Sequence, residues 1–283
     1  MRVVTAAVAL RDELDTARCA GRSVGLVPTM GALHDGHLSL VDRAASACDV
    51  VAVTVFVNPL QFGPSEDFAA YPRDLDRDVD LAAGAGATLV FAPPVEEMYQ
   101  QPVLTTVAVA DLSEPMEGAA RPGHFDGVAT VVAKLFAIAG RCRAYFGEKD
   151  FQQLSVVRRM AADLSFPVEV VGCPTVRAPD GLALSSRNAY LSADERDAAP
   201  VLHRALSAGA AAVLAGETDP AAVRDLVAAV VGAEPLVALD YAEVVDAATL
   251  RTPPVLAGEL RLLVAARLGR ARLIDNVGVT VPA

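Results

Sequence analysis

The chain has 283 residues, 53% of them hydrophobic and 5% aromatic with no tryptophan, and a formal net charge of −11. That length suits one large domain or two modest ones around an aliphatic core, and the acidic balance argues against a broad nucleic-acid surface while leaving room for a local cationic pocket. No run of about 18 apolar residues occurs, so no membrane span is expected, and Cys19, Cys48, Cys142 and Cys173 form no C-x-x-C pair, which disfavours structural zinc or a disulfide framework and fits a reduced cytoplasm.

Residues 1–10 are apolar but short and run into Arg11-Asp12-Glu13, which reads as a first strand and helix, not a signal peptide. The apolar run 24–27 ends in Pro28-Thr29-Met30-Gly31, and His34-Asp35-Gly36-His37 follows. Leu38, Val41 and Ala45 then mark one helical face. Strand, turn and helix in that order make an anion site, because a helix N-terminus offers open N–H groups and a positive dipole end. Further β-branched runs at 50–57, 88–91, 144–146 and 168–171 alternate with helical patterns at 38–47, 75–83, 128–139 and 152–164. Continuous apolar strands between helices predict a Rossmann-like α/β fold, a parallel sheet with helices on both faces. Ligands of such sheets bind beyond the C-terminal strand ends. Those ends carry Pro28-Thr29-Met30, Asn58-Pro59-Leu60-Gln61 and Gly147-Glu148-Lys149-Asp150.

The texture changes after about residue 176. Ser192-Ala193-Asp194-Glu195 matches a capping box, alanine-rich helices follow, and Asp219-Pro220 marks another helix start. Strand-like alternation at 241–245, 261–266 and 272–280 closes the chain. The expected division is 1–180 for the parallel-sheet domain and 181–283 for a smaller C-terminal α+β domain.

Several side chains carry candidate chemistry. His34 and His37 can hold nucleotide phosphates and stabilise charge growing in a transition state. Lys149 can offer a point charge to phosphate, and Asp150 can bind ribose hydroxyls or a magnesium-bound water. Ser185-Ser186-Arg187 makes a phosphate clamp beyond the turn Pro179-Asp180-Gly181. Asn58 and Gln61 offer neutral amides to a hydroxyl, carboxylate or amine. Asp78 is a candidate metal ligand, and Arg121 a candidate partner for an acidic substrate. The absence of H-E-x-x-H and G-x-S-x-G spacings removes the usual zinc-protease and serine-hydrolase patterns.

In combination these stretches resemble the pantoate–β-alanine ligase family. The likeness rests on Pro28 through His37, Phe56-Val57-Asn58-Pro59-Leu60-Gln61-Phe62, Tyr71-Pro72-Arg73, Gly123-His124-Phe125, Phe146 through Gln153, Leu184-Ser185-Ser186-Arg187-Asn188, Arg261 through Arg267 and Leu273-Ile274-Asp275-Asn276. His-x-Gly-His alone would indicate only the wider nucleotidyl-transferase superfamily, whose members attach a nucleotide and need no amine pocket. The resemblance implies ligation of pantoate to β-alanine in two steps, through a pantoyl-adenylate, with ATP as co-substrate and Mg2+ beside it. It implies ATP contacts at Met30, Gly31, Ala32, Leu33, His34, Asp35, Gly36, His37, Gly147, Glu148, Lys149, Asp150, Val176, Leu184, Ser185, Ser186 and Arg187. It implies that His37 serves as proton donor, that Gln61 touches both pantoate and β-alanine, and that Gln153 touches pantoate, with Asp78 and Arg121 at weaker matching positions. It further implies a cytoplasmic homodimer with small-molecule substrates and neither nucleic-acid nor membrane partners. Leu184 stands where family members commonly have Met; the swap roughly conserves volume, so a backbone contact would survive it and a contact needing sulfur would not.

Overall fold

Residues 1–63, 68, 69 and 71–281 are described in the computed structural model. They divide into two compact units, Met1–Glu148 with Gln152–Pro174 and Lys149–Phe151 with Thr175–Ala283.

The first unit runs β1 (Arg2–Val4), α1 (Ala7–Cys19), β2 (Val24–Thr29), α2 (Asp35–Ala45), β3 (Val50–Val55), α3 (Leu75–Gly84), β4 (Leu89–Phe91), α4 (Val95–Met98), α5 (Glu117–Ala120), α6 (His124–Ala139), β5 (Cys142–Gly147), α7 (Phe151–Asp163) and β6 (Val168–Cys173). The strands pair in parallel in the order β1-β4-β3-β2-β5-β6. Alternate residues of each strand feed opposite cores, as the period of two demands. Val24, Leu26, Val50 and Ala52 pack with α1, α6 and α7, whereas Val27, Val51 and Val53 pack with Leu40, Val41 and Ala44 of α2 and Ala82 of α3. Both faces are therefore covered, which is why these strands read as unbroken apolar runs. From β2 the chain proceeds to β3 and β4 on one side and later returns to β5 on the other. The C-terminal ends of β2 and β5 thus flank the topological switch point, where such sheets open a crevice.

The second unit contains α8 (Ala193–Ala198), α9 (Val201–Leu214), α10 (Pro220–Gly232) and the antiparallel sheet β7 (Ala238–Asp246), β8 (Gly258–Leu268) and β9 (Ala271–Val281). The expected capping box is present at Ser192 and Glu195, and Asp219 caps α10 with Pro220 at its first position. Leu202, Leu206, Val223 and Val227 pack against Leu260, Leu262, Val264 and Leu273 as a separate core.

The boundary between the compact units falls at 174/175, and residues 149–151 go with the second unit. Polar pairing ties these stretches to the second unit. Arg177 forms a two-pronged ion pair with Asp275, a short bridge joins Arg177 to Ala183, and the Lys149 carbonyl accepts a hydrogen bond from Asn276.

Candidate active site

After β2 the backbone turns through two left-handed residues, Gly31 (φ 86°) and Ala32 (φ 51°). A side chain at Gly31 would bring its Cβ to 2.8 Å from Asp78 Oδ2, so glycine is required there. Ala32 has no such freedom and is held by a partner on α3. Asp78, 1% exposed, accepts the Ala32 N–H at 2.9 Å and the Leu33 N–H at 2.7 Å, one on each oxygen. Each oxygen thus takes one hydrogen bond from the turn. Asp78 thereby anchors the segment that delivers His34. Among the described residues no group of three or more His, Cys, Asp or Glu side chains is gathered to hold a metal ion.

Helix α2 begins at Asp35, one turn before the predicted start, because His34 caps it. His34 Nδ1 accepts the Gly36 N–H at 3.1 Å, so that backbone donor serves the histidine. An accepting Nδ1 means a neutral ring carrying its proton on Nε2. The N–H groups of Ala32, Leu33 and Gly36 are thus each engaged by a side chain of the protein itself. The His34 and His37 rings lie 4.1 Å apart and tilted by 38°.

Asn58 and Gln61 meet at the end of β3. Strand pairing stops at Val55, two residues short of the predicted end, and a single 3-10 turn covers Pro59–Gln61. Asn58 is 1% exposed and uses all four of its hydrogen-bonding positions. Its Nδ2 donates to Gln61 Oε1 (3.1 Å) and to the Gly127 carbonyl (3.0 Å), while its Oδ1 accepts from Leu60 N and from the Tyr99 hydroxyl at 2.8 Å. Burial raises the Tyr99 pKa, which keeps that hydroxyl protonated as the donor. Asn58 thus links the Gln61 carboxamide to Gly127 and Tyr99. With its oxygen bound to Asn58, Gln61 directs Nε2 toward Met30 Sδ at 2.8 Å. Gly127 permits this arrangement: a Cβ there would sit 2.2 Å from the Leu60 carbonyl oxygen.

Arg121 and His124 secure the same turn. Arg121 Nη1 donates to His124 Nε2 (3.0 Å), and His124 Nδ1 donates to the Gln61 carbonyl at 2.8 Å. An arginine can only donate and a carbonyl only accept, so His124 is the neutral Nδ1–H tautomer. Arg121 also reaches the Gln61 carbonyl through Nη2 at 3.4 Å. Arg121 accordingly supports the Gln61 turn, a role its sequence context did not suggest. On the first turn of α7, Gln153 is half-buried, whereas Gln152 is buried and ties down Leu112, Pro115 and Glu117.

In the second unit, Lys149 sits in a single 3-10 turn with its Nζ 3.5 Å from Asp150 Oδ1. The Val176 carbonyl accepts the Leu184 N–H at 2.9 Å, closing the turn that leads to Ser185. Ser185 caps the 3-10 segment Ser186–Tyr190 by accepting the Arg187 N–H at 3.3 Å, and the Arg187 side chain is exposed. Tyr99, His124, Arg177, Asp275 and Asn276 had no assigned role in the sequence. A buried tyrosine or a polar pair inside an apolar strand was the signal available for them.

A family model described as pantoate–β-alanine ligase matches residues 2–278. The chain belongs to that family. A pantothenate synthetase of Moorella thermoacetica is 52% identical over 281 residues, covering 99% of both proteins. One from Deinococcus radiodurans is 54% identical over 271 residues, 93% of this chain and 96% of the relative. Among solved structures, pantothenate synthetase from Thermus thermophilus superposes with a TM-score of 0.93 at 51% identity, covering 99% of this chain and all of that one. Pantoate–β-alanine ligase from Francisella tularensis, described as complexed with beta-gamma ATP and beta-alanine, superposes with a TM-score of 0.78 at 30% identity over 98% of this chain and 97% of its own. The ligase family thus accounts for both units, the one built on the six-stranded parallel sheet and the one built on the three-stranded antiparallel sheet.

Proposed function

We propose that this ligase joins pantoate to β-alanine at the expense of ATP, in two steps. A pantoate carboxylate oxygen forms a bond to the α-phosphorus of ATP as the bond to the β-phosphate oxygen breaks, releasing pyrophosphate. The uncharged amine of β-alanine then forms a bond to the acyl carbon of the pantoyl-adenylate, AMP leaves with the electron pair of the acyl–oxygen bond, and the amine gives up a proton. The observation that carries this reading is the family match over residues 2–278, together with the Francisella relative described with beta-gamma ATP and beta-alanine.

Two anions must approach in the first step, so preorganised donors matter most. His34, neutral and with its proton on Nε2, is a donor suited to a phosphate oxygen. His37 and Lys149 take the same role toward charge that builds on the phosphates, with His37 the matching proton donor. Ser185, Ser186 and Arg187 are assigned to the phosphates, and Met30, Gly31, Asp35, Gly147, Glu148, Asp150, Val176 and Leu184 to the remaining ATP contacts. Gln61 is assigned to pantoate and β-alanine through its fixed Nε2, and Gln153 to pantoate; Asn58 and Arg121 act by holding Gln61. Magnesium finds no cage of acidic side chains among the described residues and enters with ATP as part of the substrate, neutralising phosphate charge. The same reading has the enzyme working as a cytoplasmic homodimer.

The deciding experiment measures pyrophosphate release with ATP and pantoate, without and then with β-alanine. A ligase forms the adenylate without the amine and discharges it to AMP when the amine is added. Absence of pantoate-dependent pyrophosphate removes the proposal, and a stable nucleotidyl product that β-alanine leaves untouched indicates a nucleotidyltransferase instead.

A further inference from the structure

Two adjacent polar residues interrupt the apolar alternation of β9. Asp275 and Asn276 are each 4% exposed. Polar groups persist in such places when hydrogen bonds replace the water they lose, so their partners define their use. Neighbouring residues of a strand point to opposite faces, and these two side chains grip different segments, while the Asn276 carbonyl also accepts from Arg177 at 3.2 Å. Asp275 takes both prongs of Arg177, at 2.6 and 2.9 Å, and Arg177 also donates to the Gly181 carbonyl at 3.0 Å. That segment leads directly to Ser185, Ser186 and Arg187. Asn276 Nδ2 donates to the Lys149 carbonyl at 2.7 Å, and Asn276 Oδ1 accepts from Arg261 Nε at 2.7 Å. The Arg261 guanidinium lies 4.0 Å from the centroid of the Phe151 ring. The pair braces itself as well, since the Asn276 N–H donates to Asp275 Oδ1 at 2.7 Å.

We infer that Asp275 and Asn276 are positioning residues for adenylation: one strand holds Lys149 through Asn276 and the Ser185–Arg187 segment through Asp275, in fixed register with each other. This rests on the assignment of Lys149 to the ATP phosphates made above. Lysine carries a point charge on a flexible four-carbon stem, so its reach is set by where its backbone is anchored. The 3-10 turn that bears it is three residues long, Glu148–Asp150, too short to anchor itself. Misplacing a reacting partner by about 1 Å can cost about 100-fold in rate, and Asn276 is the bond that prevents it.

The test is a double-mutant cycle on pantoate-dependent pyrophosphate release by the full chain, using Asn276→Ala, Lys149→Ala and the two together. Asn276→Ala alone should lower kcat by about 10-fold or more. In the Lys149→Ala background the same substitution should cost less than about twofold, because no ammonium remains to be misplaced. An equal loss in both backgrounds, or no loss in the parent, overturns the inference and leaves the role of Lys149 standing. A Lys149→Ala variant as fast as the parent instead overturns the phosphate assignment, and the inference falls with it. Thermal unfolding is recorded for every variant. If Asn276→Ala does not fold, Asn276→Asp replaces it in the cycle with the same expected and overturning results, since it keeps an acceptor for Arg261 and sets a carboxylate oxygen against the Lys149 carbonyl in place of the donor.

Discussion

Replacing Asp78 by alanine separates its two readings. The buried carboxylate accepts two backbone N–H groups, at 2.9 and 2.7 Å. Each hydrogen bond to a charged group contributes about 1.5–3 kcal/mol, so the gross loss is about 3–6 kcal/mol. Removing the buried charge also relieves its desolvation cost, which brings the net loss to about 3 kcal/mol. For a unit of this size that corresponds to a fall in Tm of about 6–12 °C. Asp78→Asn keeps one acceptor and sets an amide N–H against a backbone N–H, so it should lose a similar or slightly smaller amount. The assay is thermal unfolding of the ligand-free protein at pH 7, with and without Mg2+. A Tm within about 2 °C of the parent, the range of an ordinary surface change, combined with a raised Mg2+ requirement in turnover, would refute the anchor argument and support the metal-ligand role.

Replacing His37 by alanine should lower pantoate-dependent pyrophosphate release by about 10²–10³, the scale of losing a preorganised donor; a folded variant with near-parental rates would remove it from the reaction. Gln61→Ala should raise KM for pantoate and β-alanine and leave KM for ATP nearly unchanged, and an equal loss of ATP affinity would contradict that division. Gly127→Ala places a Cβ 2.2 Å from the Leu60 oxygen and 2.6 Å from the Gln61 nitrogen, so it should reproduce the Gln61 defect and lower Tm as well. Unchanged kinetics there would show that α6 does not hold the Gln61 turn. Burial and, secondarily, the Arg177 charge hold the His203 pKa below its ordinary 6.5. The unfolded chain therefore takes up the proton first, and the stability present above about pH 6.5 is lost as pH falls below it toward the folded-state pKa. His203→Gln should flatten the decline of Tm between about pH 7 and 5; an unaltered slope would assign that decline to other groups.

The parallel sheet was legible because burial on both faces leaves unbroken runs such as Val50–Val55, and Ser192 and Asp219 announced their helices by local hydrogen-bonding chemistry that acts within three residues. His34 and Gln61 stood out in the sequence for a similar reason, as polar residues at strand ends. What stayed hidden is pairing across distance. Asp78 lies 46 residues from Ala32, and nothing near either marks the other. Tyr99 is 41 residues from Asn58, Arg177 98 from Asp275 and Lys149 127 from Asn276. Such contacts depend on the register of strands and helices that the chain acquires only when folded. They make Asp78, Asn58 and Arg121 supports for the residues beside them, a role that local sequence does not show.

The assignment of Lys149–Phe151 to the second unit, between stretches that belong to the first, bears on how this protein can be taken apart. The units are not beads on a string. A gene cut at 174/175 would yield a C-terminal piece lacking the lysine carbonyl that Asn276 binds and the ring over which Arg261 stacks. Exchange of that piece between relatives by recombination would mate a new β9 with a foreign 149–151 turn. Shuffled chimaeras should therefore tolerate the junction only when both parents share the Lys149 turn and the Asp275-Asn276 pair, which makes these two short stretches a single heritable unit.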